Sequence, residues 1–531
     1  FAGALLATAY LFDAERRDER HGGARRRRVR AKRGVLESLA AARERRRVGR
    51  GPLGALDLEG PRRWPAFCRR GEPRLALGQG RTSRRPVWLS FAQLRKHTLI
   101  LGATGAGKSN TLGWIVTRAL RAGDGAVVID MKADPHLRER LAVEAGLCRK
   151  PYYEFRIEDG GGQRYNPLRH GDETARRDRL VASQVFSEDY YRGLFATHAK
   201  VVLDALAALG REPTIAALCE LWDPQDLKGV VRGLGRGKDE RSALVRYLDR
   251  LPHQQAEHVV SLRARLAEIA DTACAARLCS GSSEADEIDL ERALRRGAVV
   301  CFSLNADAYP SAAAMLASLI LQDLVGIVGG LRQARVPVRC MVGVDEFGAL
   351  PGDQVGRLLS TARDVGVGVV LGGQDLAQLR RVSEHFEAEV KANVCTVIAH
   401  RQSEPDSAEQ IARIAGTEEV VAQTQQVDRR MLGRGRGAQT ADQTGVGSQH
   451  YERQFRVGPD EIKDLETGEA VVRSSHPAGV HVVRVYRCET ADEAAALAAM
   501  AASDGRTQAA GVAEVMALHS LSKSAAQNQT R

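Results

Sequence analysis

Eight residues, Gly102-Ala103-Thr104-Gly105-Ala106-Gly107-Lys108-Ser109, followed by Asn110, hold the most chemistry in this 531-residue sequence. The glycines let backbone N–H groups turn inward onto phosphate oxygens, and a helix beginning at the end of the run adds the positive end of its dipole. In this spacing Lys108 reaches the β and γ phosphates and the Ser109 hydroxyl goes to Mg²⁺. The cradle therefore predicts binding of a nucleoside triphosphate, ATP, with Mg²⁺.

Cleaving that nucleotide requires a carboxylate beside the metal and a group that polarises the attacking water. The run CMVGVDEF supplies Asp345 for the metal and Glu346 as general base. Adjacent acids on a strand point to opposite faces, so both serve one site only if the strand ends there. The run GVGVVLGGQ ends on Gln374, an amide able to bond both the water and the γ-phosphate; spacing alone fits a surface glutamine equally well. Arg363 and Arg401 are both candidates for an arginine reaching the phosphoryl group from an adjacent subunit, with Arg363 favoured and a plain surface ion pair the alternative for either. Asp130 and Lys132 stand where ligands approach open α/β sheets; phosphate side, channel lining and a structural pair all remain open.

The elements that must hold these residues are legible in outline. TLIL (98–101) reads as the strand before the Gly-rich turn, with a helix after it to about Arg121 and a second strand, GAVVID (125–130), beyond. Strand, loop, helix, strand is a parallel α/β unit. A strand is also expected at 86–91, and further ones at 298–304, 340–345, 366–373, 394–400 and 480–486, as central strands buried on both faces. Between them the period becomes 3.6, in runs such as FATHAKVVLDALAALG, predicting an all-α insertion. The expected division is 51–171 and 296–500 for the two parts of a motor domain and 172–295 for the helical insert. Residues 429–449, rich in Gly, Arg, Gln and Thr, read as a mobile loop, and 501–531 as a disordered tail.

Bulk properties narrow the class. Hydrophobic residues at 44% suffice for a large core. Nine widely spaced cysteines, the closest pair without zinc-knuckle spacing, read as reduced core residues rather than a disulfide framework. The net charge of +12 is unevenly placed: residues 1–96 carry 25 Lys/Arg against 9 Asp/Glu, so everything after them nets −4. Any nucleic-acid contact in the motor must then be a local stripe of positive side chains. Residues 1–12 form an uncharged apolar run that Arg16, Arg17, Arg20 and Arg25–Arg28 follow closely. That order predicts the remnant of a truncated transmembrane helix with a basic cytoplasmic flank, 13–50, as juxtamembrane connector; a stray apolar end with a solvated tail is the alternative.

The segments RKHTLILGATGAGKSNT, VVIDMKADPHLRERL, RYNPL, FSLNADAYP, VDEFGALPG and ARDVGVGVVLGGQDLAQL resemble the FtsK/HerA-like branch of RecA-type motor ATPases. Within that branch they resemble the conjugative type IV coupling proteins of the TraD/TraG kind. The resemblance spans roughly residues 85–400, more weakly to about 487. It implies a RecA-like P-loop fold with a mostly parallel central sheet and an inserted all-α domain. It further implies that Lys108 and Ser109 hold nucleotide and Mg²⁺, Asp345 and Glu346 form the second motif, Gln374 is the sensor and Arg363 the finger. The implied protein is a homohexamer at the cytoplasmic membrane, driving single-stranded DNA with its relaxase into a type IV secretion channel. One departure stands out: Ala133 replaces the glycine of the family's D-x-K-G-[DE], which puts the tight turn there in question. A double-stranded DNA translocase like FtsK or HerA, and a substrate receptor with switch-like ATP binding, are the competing expectations.

Overall fold

The computed structural model describes residues 74–496 apart from 234–237, 351, 383 and 429–441. The expected membrane remnant, basic connector and tail lie outside these residues, as do the arginines at 429–436.

Among the described residues thirteen strands are present. Eleven form one sheet: β1 (Arg74–Gly80), β2 (Pro86–Ser90), β3 (Thr98–Leu101), β4 (Gly125–Asp130), β5 (Tyr152–Arg156), β6 (Val299–Ser303), β7 (Cys340–Asp345), β8 (Val367–Gly373), β9 (Thr396–His400), β12 (Glu469–Ser475) and β13 (Ala478–Val485). Their order is β2-β1-β13-β12-β9-β3-β8-β7-β4-β6-β5. The seven from β9 to β5 run parallel, while β12, β13, β1 and β2 extend the β9 edge antiparallel. The parallel strands are continuous apolar runs because both faces are covered. Leu99, Ile129, Phe302, Val344 and Val369 face one core, Ile100, Val128, Cys301, Met341 and Val370 the other.

Helices Lys108–Arg121 and Pro135–Leu147 cover the second face. Helices Pro310–Gln333 and Gly352–Ala362 lie on the first, which is continuous with the core of the helical region between β5 and β6. There Trp222 is fully buried, donating its indole N–H to the Val259 carbonyl at 2.7 Å. A buried ion pair, Arg179 to Asp323 at 3.1 Å, joins helix Glu173–Ala182 to Pro310–Gln333. Among the described residues, Pro310–Gln333 is the one helix long and apolar enough to cross a membrane, and most of it is buried inside the fold.

Three expectations need correction. Residues 442–449 are not loop: they belong to β11 (Asp442–Phe455), which pairs antiparallel with β10 (Thr417–Asp428) in a separate two-stranded hairpin. Polar residues disguised it, since a hairpin paired only with itself needs no apolar face; Val421 and Tyr451 are exposed. Second, 480–486 is not buried on both faces: β13 lies between β1 and β12, antiparallel to both, and is only partly buried. Third, β1, β5, β10 and β12 escaped the sequence reading: β5 pairs with the distant β6, while β1 and β12 are arms of short hairpins with β2 and β13.

A polar cluster sits in the helix layer. Arg121 donates to Glu144 at 2.9 Å, Arg140 also bonds Glu144, and Arg118 pairs with Glu489 at 2.7 Å. Burial alone would raise the Glu144 pKa, but the Arg121 and Arg140 guanidiniums outweigh it and hold the carboxyl at about 2. A depressed carboxylate stabilises the fold above its unfolded value of 4.5 and loses that contribution as pH falls toward 2. Glu144→Ala is accordingly expected to cost about 3 kcal/mol at neutral pH by stranding buried cations. The difference from wild type in thermal or urea unfolding should shrink between pH 4.5 and 2; a constant difference would refute this account.

Candidate nucleotide site

Parallel register brings the chemical residues together. Asp130 of β4 lies opposite Asp345 of β7, and Leu101 of β3 opposite Gly373 of β8. The C-terminal ends of β3, β8, β7 and β4 therefore open on one sheet edge, where the connecting loops converge.

The loop after β3 is pinned from three sides. Gly102 donates to the carbonyls of Gly373 (3.2 Å) and Gln374 (3.0 Å), Ala103 to that of Arg401 (2.9 Å), and Gly468 to that of Ala106 (3.0 Å). A side chain at Gly102 would place its Cβ 2.7 Å from that of His400. Gly107 takes φ +115, a conformation glycine adopts without the steric penalty other residues meet, as it caps helix Lys108–Arg121. Beneath the loop, the His400 ring bonds the Glu469 carbonyl through Nδ1 (2.8 Å) and Thr111 Oγ1 through Nε2 (2.9 Å). A carbonyl only accepts, so Nδ1 carries the proton and Nε2 receives the threonine hydroxyl. Burial lowers the His400 pKa to about 4, so it stays neutral.

Lys108 is buried, with Nζ 2.6 Å from the Gly102 carbonyl and 3.2 Å from that of Ala103. Burial lowers its pKa and Lys132 adds to the effect, while Glu346, Asp345 and Asp375 oppose it. Ser109 Oγ donates to Asp345 Oδ2 at 2.7 Å. Asp345 is fully buried and its Oδ1 has no hydrogen-bond partner. A hydroxyl and a buried carboxylate oxygen lacking a partner are the hard donors Mg²⁺ takes, so the residues fit that ion.

The strand ends at Asp345, and Glu346 turns away at φ +60, left-handed and sterically costly for a residue with a side chain. Both acids consequently reach the same edge. The Glu346 carboxylate meets Lys132 Nζ at 2.8 Å and Gln378 Nε2 at 3.3 Å. Gln378 Oε1 in turn accepts from the Gln374 backbone N–H at 3.0 Å. The Gln374 side chain itself is exposed. It is Gln378, one helical turn further on, that touches Glu346, and sequence reasoning passed over it; the four-residue spacing in QDLAQ was the available signal.

Asp130 is a turn-builder, accepting from the N–H groups of Lys132 (2.9 Å) and Asp134 (2.6 Å). Burial raises its pKa to about 6. The tight turn survives the loss of glycine, with Ala133 itself left-handed at φ +54.

Arg363 is remote from these groups. It is exposed in a short turn before β8, at the end of that strand away from Gly373, about 20 Å along by strand rise. Its charge is felt by His97, which precedes β3. Arg401 instead follows β9 beside its own loop.

Asn110 points out of the cradle: Nδ2 donates to the Tyr486 carbonyl (3.1 Å) and Oδ1 accepts from the Cys488 N–H (2.7 Å). Trp114 adds an indole bond to the Ala76 carbonyl (2.9 Å) and packs on Tyr486 with centroids 5.5 Å apart. The segment after β13 is thus fastened to the helix that starts in the loop.

This sheet and loop define a RecA-like P-loop NTPase fold. Residues 308–486 match the family described as the type IV secretion-system coupling protein DNA-binding domain, and residues 75–136 match the helicase HerA central domain. Among solved structures, the unbound bacterial conjugative coupling protein TrwBdeltaN70 aligns at 18% identity and TM-score 0.53, covering 78% of this chain and 89% of that one. The plasmid coupling protein TrwB with ADP and Mg²⁺ aligns at 18% identity and TM-score 0.52, and with the non-hydrolysable ATP analogue ADPNP at 19% and 0.53, each covering 78% of this chain and 91% of the other. No curated protein matches by sequence. The resemblance to type IV coupling proteins of the FtsK/HerA-like class is thereby borne out.

Because the Asn110 amide serves the strap, Asn110→Ala is expected to lower unfolding free energy by about 1–2 kcal/mol while nucleotide affinity stays within about twofold. A large affinity loss without destabilisation, measured by titration and melting, would return that side chain to the nucleotide.

Proposed function

We propose that this chain is an ATPase that drives DNA, together with a bound relaxase, into a type IV secretion channel during conjugation. The observation that carries the proposal is the meeting of Lys108, Ser109, Asp345 and Glu346 at one sheet edge, in a chain whose residues 308–486 match the coupling-protein DNA-binding domain. In this reading the backbone of residues 102–110 cradles the phosphates, and Lys108 leaves its carbonyl partners to neutralise the β and γ oxygens. Ser109 and Asp345 hold Mg²⁺, which supplies charge neutralisation at the transferring group. Glu346 takes the proton of the attacking water, with Gln378 and the end of β8 fixing its carboxylate; the exposed Gln374 side chain is the proposed sensor.

Arg363 fits a contact made across subunits, since its place at the opposite edge removes it from its own loop. That arrangement supports a ring, proposed as a homohexamer, with its N-terminal region at the cytoplasmic membrane. The proposed DNA is single-stranded and held through phosphates. The match of residues 75–136 to the HerA central domain favours double-stranded DNA as a second reading.

Lys108→Ala is expected to reduce ATP hydrolysis on the order of 10²-fold or more. Glu346→Gln should bind ATP without turning it over; sustained hydrolysis in that variant would remove Glu346 as the base. Stimulation of phosphate release by single-stranded against double-stranded DNA separates the two readings. Arg363→Ala mixed with wild type should depress activity beyond its own fraction, because each defective subunit disables a neighbour. A loss proportional to the fraction added would exclude a role in trans.

A further inference from the structure

Among the described residues, Lys132 is the one cation that touches the proposed general base. Its Nζ lies 2.8 Å from Glu346 Oε2, and its side chain is 39% exposed, open to the solvent side of the pair. It stands on the same rim as the cradle. Its own strand ends at Asp130 in register with Asp345, and Asp345 receives the Ser109 hydroxyl. Its charge acts directly on Lys108, which places a second positive group beside the phosphate end of the loop. The turn carrying it is fixed by the Asp130 carboxylate and by the left-handed Ala133, while Glu346 is left-handed on the facing side. Two sterically costly backbones thus hold the partners of one ion pair against each other.

We infer that Lys132 exchanges partners with the nucleotide: it binds the γ-phosphate when ATP is present, freeing Glu346 to accept the water proton, and returns to Glu346 when only a diphosphate remains. The inference rests on the nucleotide-site reading above. An ammonium between a carboxylate and an incoming phosphate dianion goes to the denser negative charge, and a diphosphate lacks the γ group that competes. Gln378 keeps Glu346 in place during the exchange through its bond to the other carboxylate oxygen. Lys132 would then make hydrolysis conditional on the terminal phosphate and clamp the base between cycles.

The test is equilibrium binding to the full chain of fluorescent N-methylanthraniloyl derivatives of ADP and of adenylyl imidodiphosphate. Lys132→Met is expected to weaken the triphosphate analogue about tenfold and ADP by no more than about twofold, with Lys132→Arg restoring most of the difference. Repeating Lys132→Met in a Glu346→Gln background should give the same selective loss, which assigns it to the phosphate contact rather than to a carboxylate left uncovered. Equal weakening of both nucleotides, no weakening, or a loss that vanishes in the Glu346→Gln background would overturn the exchange. If wild type bound neither nucleotide, the site reading itself would fall; binding by wild type with unselective Lys132 variants removes the exchange alone.

Discussion

The parallel register of β3, β8, β7 and β4 is the constraint on which the site depends. Each strand ends on the same edge, so a loop, two adjacent carboxylates and a cation drawn from three distant segments arrive together. Slipping β7 by one residue would turn Asp345 to the opposite face and separate it from Ser109. Burial of both sheet faces holds that register, since every residue of β4, β6, β7 and β8 is buried.

Around this edge the fold uses rigid backbone where position matters and movable side chains where charge must move. The loop is held by hydrogen bonds to Gly373, Gln374, Arg401 and Gly468, and supported from below by His400 and Thr111. The two lysines rest instead on partners that the proposed mechanism has a nucleotide replace: Lys108 on loop carbonyls and Lys132 on Glu346. The helix leaving the loop is also sewn to the segment after β13 by Asn110, Trp114 and the Arg118–Glu489 pair. A displacement at the loop would therefore be felt at the antiparallel end of the sheet as well as at the site.

The helical region bears on the opposite side. Its core is continuous with one sheet face, and the Arg179–Asp323 pair fixes it to the helix that follows β6. Arg363 lies at the far edge of the same sheet, which separates the cation proposed to act on a neighbour from the cradle that would receive one.

What the sequence determined by itself was local. Residues 98–101, 125–130 and 340–345 are strands in full because buried parallel strands must be unbroken apolar runs, and the Gly-rich octapeptide marks the turn from strand to helix through spacing alone. The tertiary structure decided whatever depends on partners remote in the chain. β5 became a strand by pairing with the distant β6, β12 joined the sheet through β9, and polar residues 442–455 formed a hairpin with 417–428. Likewise Asp130 turned inward to build a loop, Asn110 left the cradle, and Lys132 and Gln378 reached Glu346. Residue type sets what a side chain can do; which neighbour it meets is set by sheet order and backbone sign, neither of which a linear motif contains.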